Sequence, residues 1–241
     1  MTINSSLVAI TNPRSSVTEA YRTLQTNLNF ALHNKEKKTI TITSPGISEG
    51  KSTSVANLGI TFSQNRKRTL IVDCDFRCPR LHSLFQVSNQ KGISNVLCHN
   101  EQVEDVIQPI NKYLDLLTTG PLPANPVGLL NSNRMKKFIE QISDSYDTVI
   151  FDTPPIGIFT DAALIGSKTD GVLLVVATGK SEVNLTIKAK ENLQNVKANL
   201  LGVVMTMMPI NKKDSHDYYN QQEKRKTTKK KRRLSIRRKT R

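Results

Sequence analysis

No run in the sequence approaches the roughly 18 consecutive apolar residues that a membrane-spanning helix needs, and no positively charged segment followed by an apolar run opens the chain. A cytosolic protein is the expectation. Cysteine is scarce: Cys74, Cys78 and Cys98 form no CxxC pair, and no histidine stands at zinc-finger spacing. That excludes a disulfide framework and a structural zinc site, and leaves reduced thiols as the default, with Cys74 a small side chain filling a turn. The stretch 224–241 has neither an acidic nor an aromatic residue. It holds twelve Lys and Arg, so of the net charge of +15 only about +3 belongs to the remainder. The high isoelectric point therefore describes a tail, and without aromatic residues for base stacking that tail lacks one usual signature of single-strand binding. No nucleic-acid partner is expected.

A chain of 241 residues is long enough for one sizeable core. Residues 1–17 read as a flexible lead-in, 18–210 as the folded domain, and 211–241 as a disordered tail where the apolar pattern stops. In the helix predicted from Val17 to Ala31, residues Ala20, Leu24, Leu28 and Ala31 form the stripe expected to pack on the body. From Thr39 short β-branched runs alternate with amphipathic segments. ITITS, a helix from Lys51 to about Gln64, and TLIVD make a βαβ unit. Further strands are predicted at 114–119, 147–152, 171–177 and 200–206, with helices at about 126–143, 160–167 and 182–195. This order predicts an α/β fold with a mostly parallel central sheet and helices on both faces.

TSPGISEGKST, residues 43–53, lies between a predicted strand and a predicted helix. A phosphate loop needs that setting, because backbone N–H groups and the partial positive charge of a helix N-terminus converge there on an anion. Ser48, Glu49, Gly50, Lys51, Ser52 and Thr53 are the candidate nucleotide-binding residues. Lys51 would reach the β- and γ-phosphates, and a Ser52 or Thr53 hydroxyl would meet magnesium. The strict pattern has glycine where Pro45 stands, with Gly46 one place late. TLIVDCDFR at 69–77 carries Asp73 and Asp75, and VIFDTPP at 149–155 carries Asp152, each at the carboxyl end of a predicted strand. Three carboxylates in one crevice repel one another unless a divalent cation or a bound proton offsets the charge, and Mg2+ is the simplest answer. Asp73 and Asp75, two apart, share a face if extended.

Together TSPGISEGKST, LIVDCDFRCPRLHSLF and VIFDTPP resemble the Walker A, second Walker A-like and Walker B motifs of the bacterial tyrosine kinases, which use the P-loop fold of the MinD and ParA ATPases. The resemblance spans about Glu19 to Pro209 and includes PLPANPVGLL at 121–130. It implies an ATP-dependent tyrosine autokinase that regulates capsular polysaccharide or exopolysaccharide synthesis. It places Lys51 on the phosphates, Ser52, Asp75 and Asp152 around magnesium, and Asp73 as base for the tyrosine hydroxyl. It also implies a membrane-embedded activator holding the kinase at the inner face of the membrane, and polysaccharide enzymes as substrates. A homo-oligomeric ring is implied through the helical motif Glu-x-x-Arg-x-x-Arg, which here reads Glu19, Arg22 and then Gln25; glutamine lacks arginine's planar donor fork. The family's tyrosine cluster is reduced to Tyr218 and Tyr219 as phosphoacceptors. Where relatives usually carry an asparagine near the base, at the end of GVVMTMM, this chain has Thr206, so no adenine residue is assigned. The alternative is a ParA- or MinD-like ATPase switch acting on membrane or DNA; a regulator that binds nucleotide without turnover is a third reading.

Overall fold

The computed structural model describes residues 4–209. Seven strands form one sheet: β1 (Lys38–Thr43), β2 (Thr69–Asp73), β3 (Gln108–Asn111), β4 (Leu114–Leu117), β5 (Thr148–Asp152), β6 (Gly171–Ala177) and β7 (Leu200–Thr206). Their spatial order is β3-β4-β2-β5-β1-β6-β7, and every pairing is parallel except β3 with β4. The strands β1, β2 and β5 are continuous apolar or β-branched runs because helices cover both of their faces. Alternate residues supply the two cores. Ile40, Ile42, Ile71 and Ile150 meet α2 (Ser16–Ala31) and α3 (Lys51–Gln64) on one face. Leu70, Val72, Val149 and Phe151 meet α5 (Ile93–His99) and α7 (Asn133–Ser145) on the other. A third cluster seats α8 (Asp161–Gly166) and α9 (Val183–Asn195) on Val172 and Leu174.

Register, more than strand content, builds the site. Asp73 on β2 pairs with Asp152 on β5, which pairs in turn with Ile42 near the end of β1. Strand ends carrying two carboxylates and the strand end feeding the phosphate loop thus lie in one row at the carboxyl edge of a parallel sheet, where such folds hold ligands.

Several expectations need correction. On α2 the inward stripe is Thr18, Gln25 and Leu28, with Leu32 just past its end, while Ala20 and Ala31 are exposed. Gln25 is buried and its Oε1 accepts from Asn65 Nδ2 at 2.8 Å, so the third position of the ring motif faces the protein's own body. Glu19 and Arg22 lie on the surface as an ion pair at 3.0 Å, and Arg22 also donates to the Pro13 carbonyl. Residues 4–17, expected as a loose lead-in, are docked on α3 through a short helix, α1 (Val8–Thr11). Asn57 accepts from Ala9 N–H and donates to the Ser6 carbonyl, Gln64 donates to the Ala9 carbonyl, and Leu7 and Ala9 are buried.

The single helix expected over 126–143 is two, α6 (Pro126–Leu130) and α7. Asn125 caps the first and the Ser132 hydroxyl caps the second by accepting from Met135 N–H. Between Phe76 and Leu114, where no element was predicted, lie α4 (Leu81–Phe85), α5, a 3-10 turn at Val103–Asp105 and the edge strand β3. The three cysteines are free, with Cys74 buried in the core as expected of a small filler. Tyr218, Tyr219 and the basic run lie outside the described residues.

Candidate active site

The loop after β1 turns through two left-handed residues, Ser48 (φ 56°) and Gly50 (φ 88°), before α3 starts at Lys51. That turn puts the helix N-terminus and its free N–H groups at the mouth of the crevice. Pro45 stands in place of the usual glycine, and its backbone is packed closely against Gly157: a Cβ at 157 would lie 2.3 Å from the Pro45 carbonyl oxygen. The Ser44 hydroxyl donates to the Gly46 carbonyl at 2.8 Å. The Glu49 side chain is buried; one carboxylate oxygen accepts from Gly46 N–H at 3.0 Å and the other from the Ser181 hydroxyl at 2.6 Å.

The Lys51 ammonium lies 2.7 Å from Asp152 Oδ1, 3.2 Å from Asp75 Oδ2 and 3.4 Å from Ser52 Oγ. Burial alone would strip its proton, but the charges of Asp152 and then Asp75 outweigh burial and hold its pKa above the usual lysine value. Lys51 therefore offsets one of the three carboxylate charges, and a proton offsets a second. Burial, and after it the charge of Asp152, pushes Asp73 up to about 8, against the pull of Lys51. Asp73 also accepts from the N–H groups of Asp75 (3.1 Å) and Leu81 (3.2 Å), which ties it to the start of α4. Burial likewise raises Asp152, opposed by Lys51, and its Oδ2 is buried with no hydrogen-bond partner.

Lys51, Asp73, Asp75, Asp152 and Ser52 thus come together, but not on equal terms. A cavity of about 700 Å³ is lined by the whole loop 46–53, by Asp75, and by Phe159 and Met207; Asp73 lies behind its wall. The volume falls in the range of small-molecule sites. Asp75 Oδ1 accepts from Arg77 and Cys78 N–H groups, leaving Oδ2 toward Lys51. The sequence reading passed over Arg77, which also lines the cavity. Its guanidinium bonds both oxygens of buried Asp161 at 3.3 and 3.4 Å and stacks 4.9 Å from the Phe159 ring centroid. Its place two residues after Asp75 was the available signal. Thr206, which replaced the expected asparagine, donates its hydroxyl to the Glu49 carbonyl at 2.7 Å.

Comparison with known proteins matches residues 37–199 to the AAA domain family. The chain is 42% identical to tyrosine-protein kinase YwqD of Bacillus subtilis (strain 168), over 88% of this chain and 90% of that protein. The solved kinase domain of Escherichia coli tyrosine kinase ETK superposes with a TM-score of 0.80 at 32% identity, covering 87% of this chain and 84% of that one. The MinD cell division protein of Aquifex aeolicus is more distant, with a TM-score of 0.57 at 24% identity over 70% of this chain and 68% of its own, a likeness of fold alone. With a phosphate-loop lysine among strand-end carboxylates, and with this similarity over most of its length, the chain belongs to the bacterial tyrosine-protein kinases, ATP-using enzymes on a P-loop fold.

Proposed function

We propose that this kinase is an autokinase that regulates capsular polysaccharide or exopolysaccharide synthesis, with Tyr218 and Tyr219 as its own acceptors. The observation that carries the catalytic part is the buried cluster of Lys51, Asp75 and Asp152, of which Lys51 and Asp75 line the 700 Å³ cavity and Asp152 lies directly behind them. Lys51 is held at full charge at the helix N-terminus and is the group that leaves the carboxylates for the β- and γ-phosphates. The loop N–H groups bind and orient the phosphates, so that positioning and charge neutralisation, the main needs of phosphoryl transfer, come from residues 46–53.

Mg2+ fits the oxygen donors here. Among the described residues no group of three or more His, Cys, Asp or Glu forms a self-sufficient metal cage. One or two carboxylates plus phosphate oxygens are the usual Mg2+ set, however, and Asp152 Oδ2 is a buried acceptor without a partner. Asp75, Asp152 and the Ser52 hydroxyl would hold the ion, which when bound neutralises charge on the phosphates. Asp73 takes the proton of the tyrosine hydroxyl. To do so it must first lose the proton that burial and the Asp152 charge favour, while the N–H groups of Leu81 and Asp75 support its ionised form. Neutralising the Asp152 charge removes one cause of the raised pKa and frees the base.

The remaining parts follow from family membership. A membrane-embedded activator brings the kinase to the inner face of the membrane, subunits assemble through the surface bearing Glu19 and Arg22, and enzymes of polysaccharide synthesis are substrates. No helix among the described residues is long and apolar enough to cross a membrane. The test is mass spectrometry after incubation with Mg-ATP, with and without the activator's cytoplasmic segment, beside Lys51→Met. Phosphate on Tyr218 or Tyr219 that is lost in the variant is the expected result. ATP turnover without phosphotyrosine under both conditions would sink the autokinase reading in favour of an ATPase switch.

A further inference from the structure

We propose that Glu49 is a positioning residue, the centre of a clamp that presets the phosphate loop from outside the loop. The loop's sequence gives no hint of this, since in a GISEGKS run the glutamate looks like a polar surface residue. In the structure it is the most buried charged group of the loop, at 3% exposure. Its two carboxylate oxygens act in different directions. Oε2 accepts from Gly46 N–H at the loop's entry, and Oε1 accepts from the Ser181 hydroxyl, which belongs to the turn between β6 and α9. Ser181 is itself fixed, because its Oγ also accepts from Ala177 N–H at the end of β6.

The backbone of the same residue is held from a third side. The Glu49 carbonyl accepts from Thr206 at the end of β7, and the neighbouring Ser48 carbonyl accepts from Lys180 Nζ at 2.8 Å. Two consecutive carbonyls are thus pulled outward, toward β6 and β7. A peptide whose C=O points away from the crevice points the following N–H toward it, so these contacts aim the N–H groups of Glu49 and Gly50 inward, where an anion would sit. The clamp also holds Ser48 in a left-handed conformation that a side-chain-bearing residue adopts at a cost. Space enforces the same geometry, since a Cβ at Gly46 would lie 3.1 Å from Glu49 Oε1.

Three consequences separate positioning from direct binding. Both oxygens of the Glu49 carboxylate are engaged by the protein itself, at Gly46 N–H and the Ser181 hydroxyl. Glutamine at this position can still accept from Gly46 N–H and turn its NH2 toward Ser181 Oγ, but both bonds lose their charge-assisted strength. And because the loop is preset before ATP arrives, losing the clamp weakens ground state and transition state alike, which raises KM and leaves kcat nearly unchanged.

The inference rests on residues 46–53 being the phosphate loop, not on which tyrosine accepts phosphate. The experiment is calorimetric titration of the full chain with Mg-ATP, together with steady-state kinetics, for wild type, Glu49→Gln, Ser181→Ala, the double variant, and the pair Thr206→Val and Thr206→Ser. Glu49→Gln is expected to raise Kd and KM about tenfold, the equivalent of exchanging charge-assisted hydrogen bonds for neutral ones. Ser181→Ala should raise them several-fold, and the double variant should fall short of the product of the two single effects, because both weaken the same contact. Thr206→Val should weaken binding while Thr206→Ser restores it. If Glu49→Gln does not fold, the Ser181 and Thr206 variants decide the matter. Wild-type Kd in the variants, or Ser181→Ala exerting its full effect on top of Glu49→Gln, would overturn the clamp. Failure of wild type itself to bind Mg-ATP would instead overturn the phosphate-loop reading.

Discussion

Replacing Lys51 by methionine tests the charge accounting of the site without reference to catalysis. In the nucleotide-free protein Lys51 is the cation bonded to Asp75 and Asp152, at 3.2 and 2.7 Å, in surroundings where its own side chain is 8% exposed. Removing one partner of a buried ion pair typically costs about 3–5 kcal/mol, because the other charge stays behind unpaired. For a domain of this size that is roughly 6–20 °C in melting temperature, at about 2–4 °C per kcal/mol. The deficit should depend on pH in a definite direction. Burial already raises Asp152 with Lys51 present; without Lys51 it rises further, so the folded variant takes up an extra proton more readily than wild type.

A carboxylate whose folded pKa is raised stabilises fully below its unfolded value near 4 and loses that contribution as pH rises to the folded pKa. The gap between variant and wild type should therefore widen by about 1.4 kcal/mol per pH unit for the extra proton. Thermal melts at pH 6 and pH 8 without nucleotide measure this directly. A gap of equal size at both pH values, or no gap at either, would refute the claim that Lys51 holds the cluster's charge balance.

Three further outcomes are expected. Gly157→Ala should shift the phosphate loop, because its Cβ would meet the Pro45 carbonyl; a stability loss of about 1–3 kcal/mol and weaker Mg-ATP binding are expected in melts and titrations. Asn57→Ala should release residues 6–11, since it removes the bonds to Ala9 N–H and the Ser6 carbonyl; about 2–4 kcal/mol lost in urea unfolding, with faster hydrogen exchange confined first to that segment, would be the result. Mg-ATP binding at pH 7 should expel about 0.9 proton from Asp73, whose pKa is raised to about 8 in the free protein. Calorimetry in buffers of different ionisation enthalpy reads this, and Asp73→Asn should abolish it.

The sequence conveyed the sheet and the chemical end of the site because both are local. β-branched runs bounded by turns marked β1, β2, β5, β6 and β7, and strand-end aspartates next to a Gly-Lys-Ser turn marked the crevice. What escaped it depends on partners distant in sequence. Glu49 is bonded to residues 132 and 157 positions away, so its role as a clamp is invisible in GISEGKS. Gln25 looked like a damaged surface motif, whereas Asn65 at the end of α3 gives it a buried partner. The α2 stripe differs from its apolar pattern because alanine is a weak anchor; Thr18 faces inward, its single hydroxyl hydrogen shared between the Asn12 and Val8 carbonyls. The 76–114 region is not legible because its elements are three to seven residues long, too short to display a period.

Parallel register explains why the site needs an exchangeable cation. Asp73 and Asp152 are directly paired across β2 and β5, so their separation is fixed by the sheet and cannot relax to relieve repulsion. Asp75 is attached to the same strand end and brings a third carboxylate to the same lysine. One ammonium cannot neutralise three carboxylates; the proton on Asp73 removes a second charge and leaves one unbalanced. When phosphates draw Lys51 away, that arrangement fails at once: the anionic ligand adds charge at the moment the protein's own cation leaves. Nucleotide alone should therefore bind poorly and favour protonated carboxylates. Asp75, Asp152 with its unpartnered Oδ2, and the Ser52 hydroxyl would hold a divalent cation arriving with the nucleotide; its charge would restore the balance and favour ionised Asp73. On this account, binding of the cation and activation of the base are one electrostatic event, set by which residues the sheet places opposite one another.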